Sequence, residues 1–378
     1  MFKNDKKFCI VIANKSSTLK VRNSMQDNRS SKAGAKVQDD EPLLVAVDNG
    51  HYGIKVYAGI DKQKGYIESR CRIGGSVSTS LMATTENGAG KELVFSTDGI
   101  EYTTGSVQAS PTTFTEYPLS PINRVLVHSA LHQSGFSGKD INVVLGLPYN
   151  QYYDPNTDSG KNEQLINGME DNVKTRVVHD DLDEISIVNA KTVPEGMAAW
   201  FSYIMKEVVN DKGKVIPVLD KERANQTVVL IDIGGQTTEV VTVVGQKVQA
   251  TYSSSFGKGS HRVLEDLKRF LLQESRVQNI SDSKVKQALR DGKITIGGNL
   301  IDCTKVIRSS RMALVHEIKA HVDTLTNDIE GDIDCRLLLG GTSVDLFEHF
   351  RDWKNAQLME EPVYANAIGG YLFIKYLN

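Results

Sequence analysis

Cysteine is scarce. Four residues (Cys9, Cys71, Cys303 and Cys335) stand far apart in 378, without CxxC spacing, so neither a disulfide framework nor a zinc site is expected. A reducing compartment suits that usage. Long apolar runs are also missing: none approaches the roughly 18 to 20 residues that span a bilayer, so no membrane-spanning helix is expected. Lys3, Lys6 and Lys7 followed by Phe8 to Ala13 have the charge order of a signal peptide. The apolar stretch is too short and no small-residue cleavage site follows, so the segment is read as something else. Nor is there a surplus of one charge. Lys and Arg number 44 against 47 Asp and Glu, a net of -3, which supplies no global drive toward nucleic acid or an anionic membrane.

What is present is ordinary globular material, 40% hydrophobic and 24% charged, in a chain long enough for two domains. Residues 1–42 differ from the rest. Nine basic residues face two acidic ones before Val37, the composition of a solvated tail expected to be disordered, or of an electrostatic contact with DNA or a neighbouring subunit. The folded body is expected from Leu43, with a first domain over 43–192 and a second over 193–364. The Ser-, Thr- and Gly-rich stretch 74–118 reads as an insertion in the first domain, about 255–302 as one in the second, and a last helix, 365–377, closes back on the first.

Within the body, the apolar run Leu43–Val47, a Gly-containing turn and Ile54–Ile60 read as strand, hairpin and strand. Helical spacing marks 121–135, 163–178, 195–209, 259–275, 282–291, 303–325 and 343–350, with strands at 141–147, 185–193 and 336–339. Residues 212–225 read as a charged loop. The opening pattern then returns. Leu-Leu-Val-Ala-Val-Asp48-Asn49-Gly50 is echoed by Val-Val-Leu-Ile-Asp232-Ile-Gly234-Gly235, one domain length later.

A tight glycine turn between strands presents backbone N–H groups that bind phosphate oxygens without a basic side chain. An Asp closing a buried strand beside it can hold Mg2+ directly or through its waters. Singly, each such turn is equally an ordinary hairpin; the repeat at domain spacing is what points to one ligand held from two sides. Between the copies, Pro194-Glu195 brings a carboxylate to a helix start, readable as a cap or as a positioned base. After them, Leu-Leu-Leu-Gly340-Gly341-Thr342 joins strand to helix through glycines that allow close backbone approach, readable as a plain turn or a nucleotide contact.

In this order the four elements resemble the actin-like ATPases, and among them the ParM/StbA plasmid-segregation family, over about residues 43–378. Two further stretches resemble that family: Val125–Gly135 with Val143–Asp154, and Tyr364–Tyr371. The resemblance implies an α/β, actin-like two-domain fold, each domain built on a ribonuclease-H-like mixed sheet flanked by helices, with small inserted subdomains. It implies ATP, with GTP as the alternative, and Mg2+ as cofactors. Glu195 would position or deprotonate the attacking water, and Asp232 would orient it and organise the metal with Asp48. Lys55 would reach the phosphates, and Asn49, Gly50, Gly234, Gly235, Gln236, Thr237 and Thr238 would contact them. Gly340, Gly341 and Thr342 would line the adenosine. His51 and Tyr52 depart from the pattern, standing where small hydroxyl residues are usual; His51 reads as a phosphate donor or as an exposed turn residue.

The function implied is hydrolysis coupled to head-to-tail filament growth in the bacterial cytoplasm, segregating plasmid or phage DNA. A DNA-bound adaptor protein is the expected partner, with no sequence-specific DNA contact by the chain itself and no membrane partner. Alternatives are a cell-shape or cell-division filament and a small-molecule kinase of the same superfold, though no polar acceptor-pocket signature is visible. A heat-shock-type chaperone would need a C-terminal peptide-binding sandwich beyond the terminal helix.

Overall fold

The computed structural model describes residues 41–62, 64–75, 92–105 and 112–377. The expected tail therefore lies outside the described residues except for Glu41 and Pro42, as do residues 76–91 and 106–111 of the first expected insertion.

Two sheets repeat one plan. In the first, the strand order is Gly65–Glu68, Gly53–Tyr57, Leu43–Asn49, Asp140–Leu147, Ser186–Pro194, with the hairpin partners antiparallel and the last three strands parallel. In the second, Lys247–Val248, Thr238–Val244, Thr227–Ile233, Cys335–Leu339 and Ala356–Leu358 run in the same sense. Helices cover both faces of each central strand, which is why those strands read as unbroken apolar runs rather than alternating ones. Alternation survives in where the side chains go. Val45 and Val47 enter one core with helix Pro121–Gln133, whereas Ala46 between them enters another. Val229, Ile231 and Ile233 meet helix Thr304–Leu325, whereas Val228 and Leu230 turn the opposite way.

The opposite faces of both sheets share one core. Ala46 and Val144 from the first sheet and Val228, Leu230 and Leu337 from the second cluster around helices Met197–Ile204 and Ala365–Tyr376. These helices form the joint of the molecule. They touch through glycine: a Cβ at Gly369 would lie 1.6 Å from the Ala198 carbonyl oxygen. Trp200, Phe201 and Tyr371 fill the joint, each an aromatic whose truncation typically costs about 3–5 kcal/mol when buried.

Smaller units sit at the margins. Strands Cys71–Ile73, Leu93–Thr97 and Ile100–Thr104 pair into a sheet that adds Phe95 and Tyr102 to the first core. Helices His261–Ser275 and Asp282–Asp291 with hairpin Lys293–Ile296 and Asn299–Asp302 have a core of their own, including Leu267, Leu271, Val285 and Ile294.

Three element expectations need correction. The helix read over 195–209 occupies only Met197–Ile204. Gly196 adopts φ +68, a left-handed conformation that sets the start, and Met205–Val209 leaves as a strand. The loop read over 212–225 supplies that strand's partner, Val215–Leu219, and then the short helix Lys221–Ala224. The turn between the two strands is made by Asn210, whose Oδ1 accepts from the N–H groups of Lys212 and Lys214, and by Gly213 at φ +71. Helix 163–178 ends at Lys174, freeing Val178 to pair with Ser96.

Candidate functional site

The parallel plan brings the two hairpin turns face to face across a cleft between the sheets. Asp48 closes the strand Leu43–Asn49 and is paired in register with Lys55; Asp232, near the end of Thr227–Ile233, is paired with Glu239. Lys55 Nζ lies 3.2 Å from Asp48 Oδ2. Glu195 follows the strand Ser186–Pro194, and its N–H donates to the Leu147 carbonyl at 2.9 Å. Its carboxylate lies over Gly146, where a Cβ would approach Glu195 Oε1 to 3.0 Å.

The cleft is lined by Asn49, Gly50, Glu195, Asp232, Gly234, Gly235, Gln236 and Thr237 among the residues singled out from sequence. Asp48 and Lys55 stand directly behind this lining: a Cβ at Gly50 would meet Lys55 Nζ at 3.3 Å and Asp48 Oδ1 at 3.6 Å. Three others serve as scaffold. The Thr238 hydroxyl donates to the Lys258 carbonyl and the Thr342 hydroxyl to the Gly234 carbonyl. Gly340, at φ +86, lets the chain pass so close that a Cβ would fall 2.3 Å from Asp232 Oδ1. Gly341 faces open space within 4 Å.

Sequence reasoning assigned no site role to four groups that the fold delivers here. Glu239 lines the cleft, its Oε1 accepting from the Tyr149 N–H at 2.6 Å, so one bond joins the two halves. Asn366, from the terminal helix, donates through Nδ2 to Asp232 Oδ2 at 2.8 Å and accepts through Oδ1 from the Gly196 N–H at 3.0 Å. Tyr117 forms part of the wall and packs at a tilt against His51, with ring centroids 4.9 Å apart. Tyr52 packs on Gly235, where a Cβ would come within 2.2 Å of the ring, so the two turns touch. The register of the repeat could have found Glu239, because it occupies the place of Lys55. His51 is half-buried rather than exposed, and burial lowers its pKa, so the ring is neutral at pH 7.

Electrostatically the cleft is anionic. Burial, then the Asp48 charge, pushes Asp232 up to about 6, with Lys55 and the Asn366 bond opposing. Burial and Asp232 push Glu239 up to about 8. Burial, then Asp48, Glu239 and Asp232, holds Glu195 well above the usual carboxylate range. For Lys55, burial alone would favour the neutral amine, but Asp48, Asp232 and Glu195 together outweigh it and raise its pKa. Carboxyls buried beside one another in this way mark a site that gains from added positive charge.

The donor set suits a hard divalent cation and the phosphates it would bridge. Asn49 Oδ1 and Glu239 Oε2 are buried acceptors without a partner among the described residues, and the glycine turns bring backbone to the same cleft, where the Gly234 N–H donates to the Thr237 carbonyl at 2.9 Å. Among the described residues, no three His, Cys, Asp or Glu side chains converge on one metal position.

Comparison with known proteins bears on the fold. Residues 43–206 match the family model for the N-terminal part of plasmid segregation protein ParM, and residues 230–352 match that for the C-terminal part of the archaeal actin homologue MreB-like. No curated protein matches the chain. Among solved structures, a 15-stranded ParM filament from Clostridium botulinum aligns with TM-score 0.70 at 20% identity, covering 88% of this chain and 99% of that one. An archaeal actin homologue in complex with ADP aligns with TM-score 0.67 at 17% identity, covering 88% and 99%. ParM of Bacillus thuringiensis with ATP aligns with TM-score 0.60 at 13% identity, covering 90% and 100%. At such identities the likeness establishes an actin-like two-domain fold. No helix among the described residues is long and apolar enough to cross a membrane.

Proposed function

We propose that this chain, whose residues 43–206 match the ParM N-terminal family model and whose fold is actin-like, binds ATP with Mg2+ in the cleft between its sheets and hydrolyses it. GTP is the alternative nucleotide. Hydrolysis is coupled to head-to-tail assembly into filaments that segregate plasmid or phage DNA in the bacterial cytoplasm, through a DNA-bound adaptor protein. The observation that carries this reading is the convergence of Asp48, Asp232 and Glu195 about buried Lys55, in a cleft lined by Gly50, Gly234 and Gly235.

Phosphoryl transfer to water asks a protein mainly to position and to stabilise charge. Bound Mg2+ would supply neutralisation of the phosphate oxygens, held through Asp48 and Asp232 and their waters. The backbone at Gly50, Gly234 and Gly235 cradles the phosphates, and the Lys55 ammonium is oriented toward them by Asp48. Glu195 has the higher proton affinity that burial and neighbouring carboxylates confer, which suits a group that orients a water and accepts its proton. Gly340–Thr342 lie behind the second turn and support it, Thr342 through its bond to the Gly234 carbonyl.

The joint made by helices Met197–Ile204 and Ala365–Tyr376 supports a coupling between the cleft and the outer surface, because both sheets pack on it. A nucleotide that favours one setting of the joint by about 1.4 kcal/mol changes subunit affinity about tenfold if only that setting stacks. Open filaments follow from heterologous contacts that do not close into rings. Light scattering of the purified chain with magnesium and ATP, GTP, ADP or no nucleotide tests the reading. A rise with a triphosphate alone supports it, and no rise at any concentration contradicts the filament.

A further inference from the structure

We propose that Asn366 is a positioning residue for hydrolysis, tying Asp232 of the second hairpin to the Glu195–Gly196 turn so that both hold one geometry across the cleft. This rests on the reading of the cleft as a nucleoside-triphosphate hydrolase site. Asn366 is 7% exposed and uses both ends of its amide: Nδ2 on Asp232 Oδ2 at 2.8 Å, and Oδ1 on the Gly196 N–H at 3.0 Å. The two contacts fix which way the amide points, since one needs a donor and the other an acceptor.

Each target is constrained on its other side. Asp232 Oδ1 faces the backbone at Gly340, where no side chain fits. Glu195 is anchored through its own N–H to Leu147 and through its carbonyl, which accepts from the Met197 N–H at 2.6 Å. Gly196, at φ +68 and against Val241, is the next link in the chain, and its N–H is the one Asn366 takes up. Asn366 itself cannot drift. It lies in the first turn of helix Ala365–Tyr376, which Gly369 seats against the Ala198 carbonyl. The choice of residue is specific: aspartate would set another carboxylate against Asp232, and alanine would leave both groups unpartnered. A helix needing only a polar residue near its start would not require one that joins two separate cleft elements.

The test uses the full chain and the variants Asn366→Ala and Asn366→Asp, with melting temperature, binding of a fluorescent ATP analogue, phosphate release, and hydrogen exchange at residues 195–197 without nucleotide. The expected result is a kcat lower by about tenfold or more in both variants, as small misplacements of a reacting group produce. Analogue affinity should stay within about threefold, because uniform binding is not what is lost. Exchange at Gly196 should rise about tenfold in Asn366→Ala but stay slow in Asn366→Asp, which keeps the acceptor and loses only the donor. An unchanged kcat overturns the proposal, and so does a kcat loss that merely tracks affinity or melting temperature. Unchanged exchange at Gly196 in Asn366→Ala overturns it independently of any activity. Wild-type chain that releases no phosphate sinks the hydrolase reading and positioning for hydrolysis with it, while the exchange result still decides whether the bridge exists.

Discussion

The two hairpins that face the cleft share a fold and a register, and they differ in the residue opposite the aspartate. Asp48 is opposed by Lys55, whereas Asp232, one repeat later, is opposed by Glu239. The first hairpin is therefore internally neutral and the second is not. Its excess charge is carried by borrowed groups: Lys55 from the other hairpin, Asn366 from the terminal helix and the Tyr149 N–H at Glu239. A duplicated backbone has been given unlike chemistry, and the unlikeness concentrates negative charge on one side of the cleft. Phosphates bound with their metal would be held between a neutral wall and an anionic one.

The largest expected effect comes from removing the balance altogether. Lys55→Met leaves Asp48, Asp232, Glu195 and Glu239 buried without a side-chain cation, and breaking a buried pair of this kind costs about 3–5 kcal/mol. Chemical denaturation should show that loss, and nucleotide titration should show affinity lost with it. Next is the tight passage behind Asp232. Gly340→Ala forces a Cβ onto Asp232 Oδ1 and strains a left-handed residue, for an expected loss of about 2 kcal/mol or more. Gly341→Ala meets nothing within 4 Å and should melt within a degree or two of wild type.

A pH profile separates the halves. Glu239 has a folded pKa raised to about 8, so it binds protons more tightly in the folded chain. Its contribution therefore falls as pH rises from the ordinary carboxylate range to about 8, at no more than about 1.4 kcal/mol per pH unit. Glu239→Gln, which can still accept from Tyr149, should remove that slope and gain most over wild type above pH 8. The first half carries the opposite sign. Burial lowers His128 and His132 to about 4, so both are neutral when folded. Their contribution is complete above about pH 6.5 and is lost as pH falls toward 4. His132→Asn should flatten that acid limb of a melting-temperature profile and leave the alkaline limb unchanged.

Much of this architecture is written locally. The unbroken apolar runs before Asp48 and Asp232 identify strands covered on both faces, and the recurrence of run, Asp and Gly turn identifies the repeat. The turns carry their own glycines, so the residues lining the cleft from them were legible. Glu239 was hidden by its neighbours: inside Thr238–Val244 it looks like an exposed position in a strand, and only pairing with Asp232 turns it inward. Asn366 was hidden by distance, since its contacts are 134 and 170 residues away. The hairpin after Ile204 was hidden by composition. Lys206 and Glu207 favour a helix locally, but burying the Glu207 carboxylate among Tyr57, Lys375 and Tyr376 fixes Met205–Val209 as a strand.

The most direct measurement is phosphate release followed in parallel with light scattering, after adding magnesium and ATP to wild-type chain and to Glu195→Ala. The account predicts scattering that rises and then decays as phosphate appears in wild type. In the variant, scattering should rise and persist while phosphate release falls by about a hundredfold or more. Equal phosphate release from both proteins would contradict the assignment of Glu195 and, with it, the account of how the two hairpins act on one nucleotide.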